Sequence, residues 1–191
     1  ARLVIVARRA AVLEDLALAL RAQGAAEVRV VPLDLSDPHA STTLAARTAE
    51  LDIARVVLNA GYGTSGPFLD TDLDAEQAMI AVNVAAVHAL AHTFARRLAA
   101  RGSGEIVLLG SIVGFQGVPY TATYAATKAF VQSLGEALAI ELRPHGVQVR
   151  TIAPGPSATL VACGNSFGLA GMWVPNALLN STCLSSESIH S

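Results

Sequence analysis

The sequence predicts an α/β fold built on a doubly wound parallel sheet. Short β-branched runs alternate with Ala- and Leu-rich stretches along the chain. Runs such as Val56-Val57-Leu58 and Ile106-Val107-Leu108-Leu109 are apolar without a polar alternate, as strands buried on both faces are. The composition, 52% hydrophobic and 15% charged over 191 residues, gives one ordinary domain a sizeable core and argues against disorder.

The first strand is expected at residues 2–7, where Leu3-Val4-Ile5-Val6 is continuously apolar. A helix follows at 10–22 and a second strand at 27–33. The next helix is placed at 38–51, because Ser36-Asp37 can cap it and Pro38 suits a first turn. A third strand at 55–59 leads to a long apolar helix at 74–100. The fourth strand, 105–109, is followed by a helix at 123–143 that Pro144 and Gly146 stop, and the fifth strand takes 147–152. Strand–helix alternation implies right-handed crossovers. The α/β domain is read as residues 1–159. From Thr151 onward Glu187 is the single formally charged side chain, and five of the last eleven residues are serine. Residues 160–191 are therefore treated as an atypical segment.

Bulk properties exclude some classes of function. A net charge of −2 gives no reason to expect nucleic acid or an anionic membrane as partner. No uninterrupted apolar run approaches the roughly 18 residues of a membrane span, and no leader pattern is expected at the first residues. Cys163 and Cys183 are too few and too far apart for a disulfide framework or a CxxC motif, so two free thiols in a reducing cytoplasm are expected. His39, His88, His92 and His145 show no metal-ligand spacing.

The strongest chemical signal is Tyr124-Ala125-Ala126-Thr127-Lys128. Residues four apart share a helix face, which sets a phenol beside an ammonium. Lys128 is the only lysine in the chain. A free tyrosine titrates near 10, so proton exchange near neutral pH requires a fall of about 2–3 units, roughly 3–4 kcal/mol. A neighbouring cation acts in that direction, and lysine is a compact charge with rotatable donors. Ser111 follows the fourth strand, at the sheet edge where ligands bind in doubly wound folds. Asn59-Ala60-Gly61 ends the third strand at the same edge, and Asn83 needs hydrogen-bond partners within an apolar helix.

These residues resemble, in order and spacing, the short-chain dehydrogenase/reductase family. The matching pieces are Asn59-Ala60-Gly61, Asn83, Ser111, Tyr124 with Lys128, and Pro154-Gly155 followed by Thr159. The resemblance covers residues 1–159. It implies a Rossmann-like NAD(P)-dependent oxidoreductase that interconverts a carbonyl and a secondary alcohol. Tyr124 would be the acid/base, Ser111 the donor that orients the substrate, and Lys128 the ribose ligand that depresses the tyrosine. Asn83 would hold a water of the proton relay, and Thr159 would contact the nicotinamide carboxamide. Arg8-Arg9 follow the first strand, where NAD-preferring members of the family tend to place an acid. Two guanidiniums can clamp a 2′-phosphate, which favours NADP(H) over NAD(H). Asp34-Leu35 matches the family's adenine-contacting position. The substrate would be a small carbonyl compound or alcohol. The long helices 74–100 and 123–143 would build a homodimer or homotetramer.

In the family a strand and glycine-rich turn precede the segment that opens this chain and present backbone N–H groups to the pyrophosphate. That strand would lie between the first and third strands read here. Its loss would leave unpaired backbone groups, at about 1–3 kcal/mol each where buried. The family's final strand and substrate lid have no clear match after Thr159, so the chain is expected to be incomplete relative to the family. The alternative is a non-catalytic, truncated relative acting through subunit association. Two motifs are set aside. Gly61-Tyr62-Gly63-Thr64-Ser65-Gly66 fits GxGxxG, but Pro67 and Phe68 follow where a helix should start, so it reads as a turn near the active site. Gly164-Asn165-Ser166-Phe167-Gly168 fits GxSxG, but Glu187 and His190 lie too close in sequence to complete a hydrolase triad.

Overall fold

The computed structural model describes residues 1–155. Strands and helices alternate as β1 (Arg2–Ala7), α1 (Ala10–Ala22), β2 (Glu27–Pro32), α2 (Ala40–Arg47), β3 (Arg55–Leu58), α3 (Leu73–Ile80), α4 (Val87–Arg101), β4 (Gly104–Leu109), α5 (Ala122–Glu141) and β5 (Val147–Ile152). Every ladder is parallel. β1 pairs with β2 from Arg2 against Glu27, β3 with β4 from Arg55 against Glu105, and β4 with β5 from Gly104 against Val147. The parallel α/β arrangement is the one the sequence predicts.

The strands form two sheets, β1-β2 and β3-β4-β5, and no ladder joins them among the described residues. β1 and β3 each end a sheet. They are the two strands between which the family resemblance would place a further strand.

The main core gathers Ile106, Leu108, Leu98 and Phe94 with Leu58, Val131 and Val147. Ile106 and Leu108 of the central β4 are 0% exposed, and burial of such side chains contributes about 1.5–3 kcal/mol each. A smaller cluster of Ile5, Ala7, Leu13, Ala17 and Val28 lies between α1 and the β1-β2 pair.

Two helices differ from expectation. The expected helix 38–51 is only Ala40–Arg47. At its start the Asp37 side chain accepts from the His39 N–H at 2.8 Å, and its carbonyl accepts from the Ala40 N–H at 2.9 Å, so the chain turns before the helix begins. At its end Thr48 donates back to the Leu44 carbonyl at 2.8 Å, and Arg97 of α4 donates to the Thr48 carbonyl at 2.7 Å. Those bonds satisfy groups a longer helix would have paired internally.

The expected helix 74–100 starts at Leu73, capped by Asp72, which accepts from the Asp74 N–H at 3.0 Å. It then widens into a π-helical segment, Ala81–Ala86, before continuing as α4. The whole run Leu73–Arg101 is long and apolar enough to cross a membrane by length and composition. Inspection of uninterrupted apolar runs does not find it, because Asn83 and His88 interrupt the pattern. Its Leu90, Ala91, Phe94 and Leu98 are buried in the main core, and a helix packed in a protein core needs the same apolar composition.

Candidate active site

Residues from the carboxyl ends of the strands meet along one edge of the sheets, where doubly wound folds bind ligands. Ser111 follows β4 in extended backbone and accepts from the Val113 N–H at 3.4 Å, which starts the short turn Ile112–Phe115. Tyr124 and Lys128 stand one helical turn apart near the start of α5. The Lys128 ammonium lies 5.8 Å from the centroid of the Tyr124 ring and donates to the Leu109 carbonyl at 2.8 Å.

Asn83 sits in the π segment, 1% exposed. Its Oδ1 accepts from the Tyr62 N–H at 3.1 Å. Its Nδ2 donates to the Tyr62 carbonyl at 2.8 Å and to Thr127 Oγ1 at 3.1 Å. Thr127 in turn donates to the Tyr124 carbonyl at 2.7 Å. The Asn83 side chain thus ties the loop after β3 to α5, and its hydrogen bonds go to protein groups. π-helical segments interrupt the regular ladder and recur at functional sites.

The loop after β3 reaches the same cluster. A Cβ added at Gly61 would lie 3.0 Å from Asn83 Oδ1 and 3.6 Å from Lys128 Nζ. One added at Gly63 would lie 3.1 Å from the Tyr124 ring. The GxGxxG stretch therefore forms a wall of this cluster. Tyr62 and Gly63 lie in the stretch read from the sequence as a turn near the active site, whereas Thr127 and Glu76 were missed. Thr127 was findable as a polar residue between Tyr124 and Lys128 on the inward face of α5, and Glu76 carries no sequence signal.

Burial and hydrogen bonding act on the Tyr124 phenol in opposite directions. The largest influence on Tyr124 is burial, which pushes its pKa up, and hydrogen bonding with Ser111 pulls the other way. Burial also brings Lys128 down to about 8, because the ammonium is shut away from water at 7% exposure.

At the other end of the edge, Arg8 follows β1 and Asp34 follows β2. Hydrogen bonds from the Ser36 hydroxyl and N–H hold the Asp34 carboxyl below its ordinary value, with a smaller contribution from the charge of Arg8. Burial raises Tyr62, while the charge of Arg8 lowers it and those of Asp34 and Glu76 raise it. Arg8, Asp34 and Tyr62 are therefore electrostatic neighbours. Arg9 is exposed beside them and Leu35 is half-buried. Asn59 and Ala60 are half-buried at the end of β3. The Pro154 carbonyl accepts from the Ile112 N–H at 3.2 Å, which fixes the turn after Ser111, and Gly155 is exposed beside it. Thr159, the segment 160–191 with both cysteines, and the GxSxG stretch lie outside the described residues. Among the described residues no three His, Cys, Asp or Glu side chains gather as a metal site would need.

The donor set fits a nicotinamide dinucleotide. Arginines stand at one end, an ammonium at the other, and the cradle over Gly61 is one that a side chain would fill.

A family model described as short chain dehydrogenase matches residues 1–164. The chain is 36% identical over 155 residues to a very-long-chain 3-oxoacyl-CoA reductase of Podospora anserina, covering 78% of this chain and 46% of that protein. Its fold superposes with a TM-score of 0.77 on the bulky-bulky ketone specific alcohol dehydrogenase of Comamonas testosteroni, at 34% identity, covering 83% of this chain and 64% of the other. The TM-score is 0.76 against a short-chain dehydrogenase of Sphingobium yanoikuyae in complex with NADPH, at 34% identity over 81% of this chain and 60% of that one. The chain thus spans about half to two thirds of the length of the proteins it matches.

Proposed function

The chain belongs to the short-chain dehydrogenase family, and on that premise we propose that it interconverts a carbonyl and a secondary alcohol with NADP(H). The observation that carries this reading is that Tyr124 hydrogen-bonds with Ser111 and lies beside Lys128, with Gly61 packed against the ammonium and Gly63 against the phenol ring. When bound, the nicotinamide supplies or accepts the hydride at the substrate carbon. Tyr124 donates its phenolic proton to the carbonyl oxygen as that oxygen becomes an alcohol, and takes it back in the reverse direction. The Ser111 hydroxyl donates to the same oxygen and orients it. Lys128 uses one N–H on Leu109, which leaves two donors for ribose hydroxyls. Asn83 holds the loop after β3 against α5 and would help to hold a water of the proton relay.

Arg8 and Arg9 would hold a 2′-phosphate, Asp34 and Leu35 would contact the adenine, and Asn59, Ala60 and Gly61 would contribute to the cofactor site at the end of β3. Pro154 and Gly155 would contribute to the nicotinamide end of the site, where the family resemblance also puts Thr159, which lies outside the described residues. An apolar ketone suits the entrance. Ile112 and Phe115, in the turn after Ser111, are 46% and 63% exposed, and Tyr120 is 67% exposed. The relatives named for very-long-chain 3-oxoacyl-CoA and for bulky-bulky ketones support the same class. A groove of about 270 Å³ between α4 and α5, lined by His92, Ala95, Leu134 and Leu138, is the surface for a homodimer. The cytoplasm is the proposed place of action.

The division of the sheet favours a second reading, in which the chain associates with another subunit and turns nothing over. NADPH-dependent reduction of a bulky apolar ketone, followed by nicotinamide absorbance, separates the two. Turnover supports the enzyme. No turnover in either direction with a panel of such ketones and alcohols supports the second reading.

A further inference from the structure

The loop from Asn59 to Gly66 is tied down at three points. Asn83 holds Tyr62 through both backbone groups, at 3.1 and 2.8 Å. The Thr64 hydroxyl donates to the Glu76 carboxylate. The Gly66 N–H donates to the Tyr120 carbonyl at 2.8 Å, and Tyr120 itself holds a φ of 64°, a conformation that bulky residues rarely adopt. Between the first two ties, Gly63 lies on the Tyr124 ring, so close that a Cβ would come within 3.1 Å of it.

Glu76 is the unusual member. It stands in the first turn of α3 at 6% exposure, where a carboxylate is costly to bury and an apolar side chain would fill the same space. Its position beside Thr64 leaves a space of about 20 Å³ bounded also by Tyr120 and Thr121, room for about one water.

We propose that Glu76 is a positioning residue for the proton-transfer site: by holding Thr64 it presses the Gly63 backbone onto the Tyr124 ring and fixes the direction of the phenol O–H. This rests on the reading of Tyr124 as the proton donor. Glu76 touches neither substrate nor cofactor, and acts through Thr64 and Gly63.

Glu76→Met and Thr64→Val remove the tie by different routes, while Glu76→Gln keeps an acceptor and Thr64→Ser keeps a donor. The chain has three tyrosines, Tyr62, Tyr120 and Tyr124. NMR of ring-labelled tyrosine, assigned with single Tyr→Phe variants, therefore reads the titration midpoint of Tyr124 by itself. In Glu76→Met and in Thr64→Val that midpoint moves down by roughly half a unit or more, because water reaches a ring that burial now shields. The double variant shifts no further, and Glu76→Gln and Thr64→Ser stay near the parent. In turnover, kcat falls about tenfold in the two disrupting variants with the KM for NADPH unchanged.

An unmoved Tyr124 midpoint in folded Thr64→Val protein overturns the proposal, whatever turnover shows and whether or not Glu76→Met folds. Shifted midpoints in a protein that has no turnover even when unmodified overturn the enzymatic function and leave the positioning role standing.

Discussion

The β3-β4-β5 sheet and the helices around it supply twelve of the thirteen buried residues of the main core, Val31 of β2 being the other, whereas the β1-β2 pair and α1 share a separate cluster of five. The proposed roles divide along the same line. Tyr124 and Lys128 belong to the heavily packed side, and Asn83 and Thr127 lock them to the neighbouring loop. Arg8 and Arg9 project exposed from the lightly packed side. Proton transfer needs a fixed direction, and a dense core with buried hydrogen bonds supplies it. Attraction of a phosphate needs charge near the right place and tolerates a looser frame.

Removing the phenol oxygen strikes the heavily packed side at its chemical centre. Tyr124→Phe should lower kcat by about 10²–10⁴-fold, the usual worth of a general acid, with NADPH affinity nearly unchanged. Steady-state kinetics beside calorimetry checks both halves of that statement.

Packing should separate the two sides next. Leu108→Ala, at a site 0% exposed in the main core, should cost about 3–5 kcal/mol in denaturant unfolding. Leu13→Ala, in the cluster beneath α1, should cost about 2–3 kcal/mol, because a small cluster near the surface collapses more easily around the gap. Equal costs would remove the contrast.

Lys128 sharpens the comparison through pH. Its folded pKa is lowered to about 8 from an ordinary 10.5, so the unfolded chain binds that proton more tightly. The penalty for burying the charge is full below pH 8 and is relieved as pH rises from about 8 to 10.5. Measured against Lys128→Met, the parent should gain about 2–3 kcal/mol of stability across that window. A difference that stays flat with pH would mean that the ammonium is solvated.

The smallest effect belongs to the lightly packed side. Arg8→Ala should reduce the preference for NADPH over NADH about tenfold in Kd and leave kcat with saturating cofactor almost unchanged.

Sequence reasoning located β1, α1 and β5 to the residue, because unbroken β-branched runs and a clean helical stretch mark them. It overextended α2, since the bonds from Thr48 and Arg97 that end it are tertiary and leave no local trace. It read 74–100 as one regular helix, although the π segment that holds Asn83 arises from packing against Tyr62 and Thr127. The Tyr124–Lys128 pair was legible because helical spacing alone sets both on one face. The way Gly63 closes on the Tyr124 ring was not legible, because it depends on two loops meeting in space. Helical spacing gives the proximity of Lys128 to the phenol, whereas burial, the largest influence on Tyr124, depends on the packed fold and is not legible locally.

The central claim is that the strand ends from Arg8 to Lys128 form one nicotinamide-dinucleotide crevice. Calorimetric titration of the unmodified protein with NADPH tests it most directly. Binding tighter than about 100 μM, lost on adding excess NADP⁺ as competitor, is the predicted result. No detectable heat across temperatures from a protein shown to be folded would contradict it.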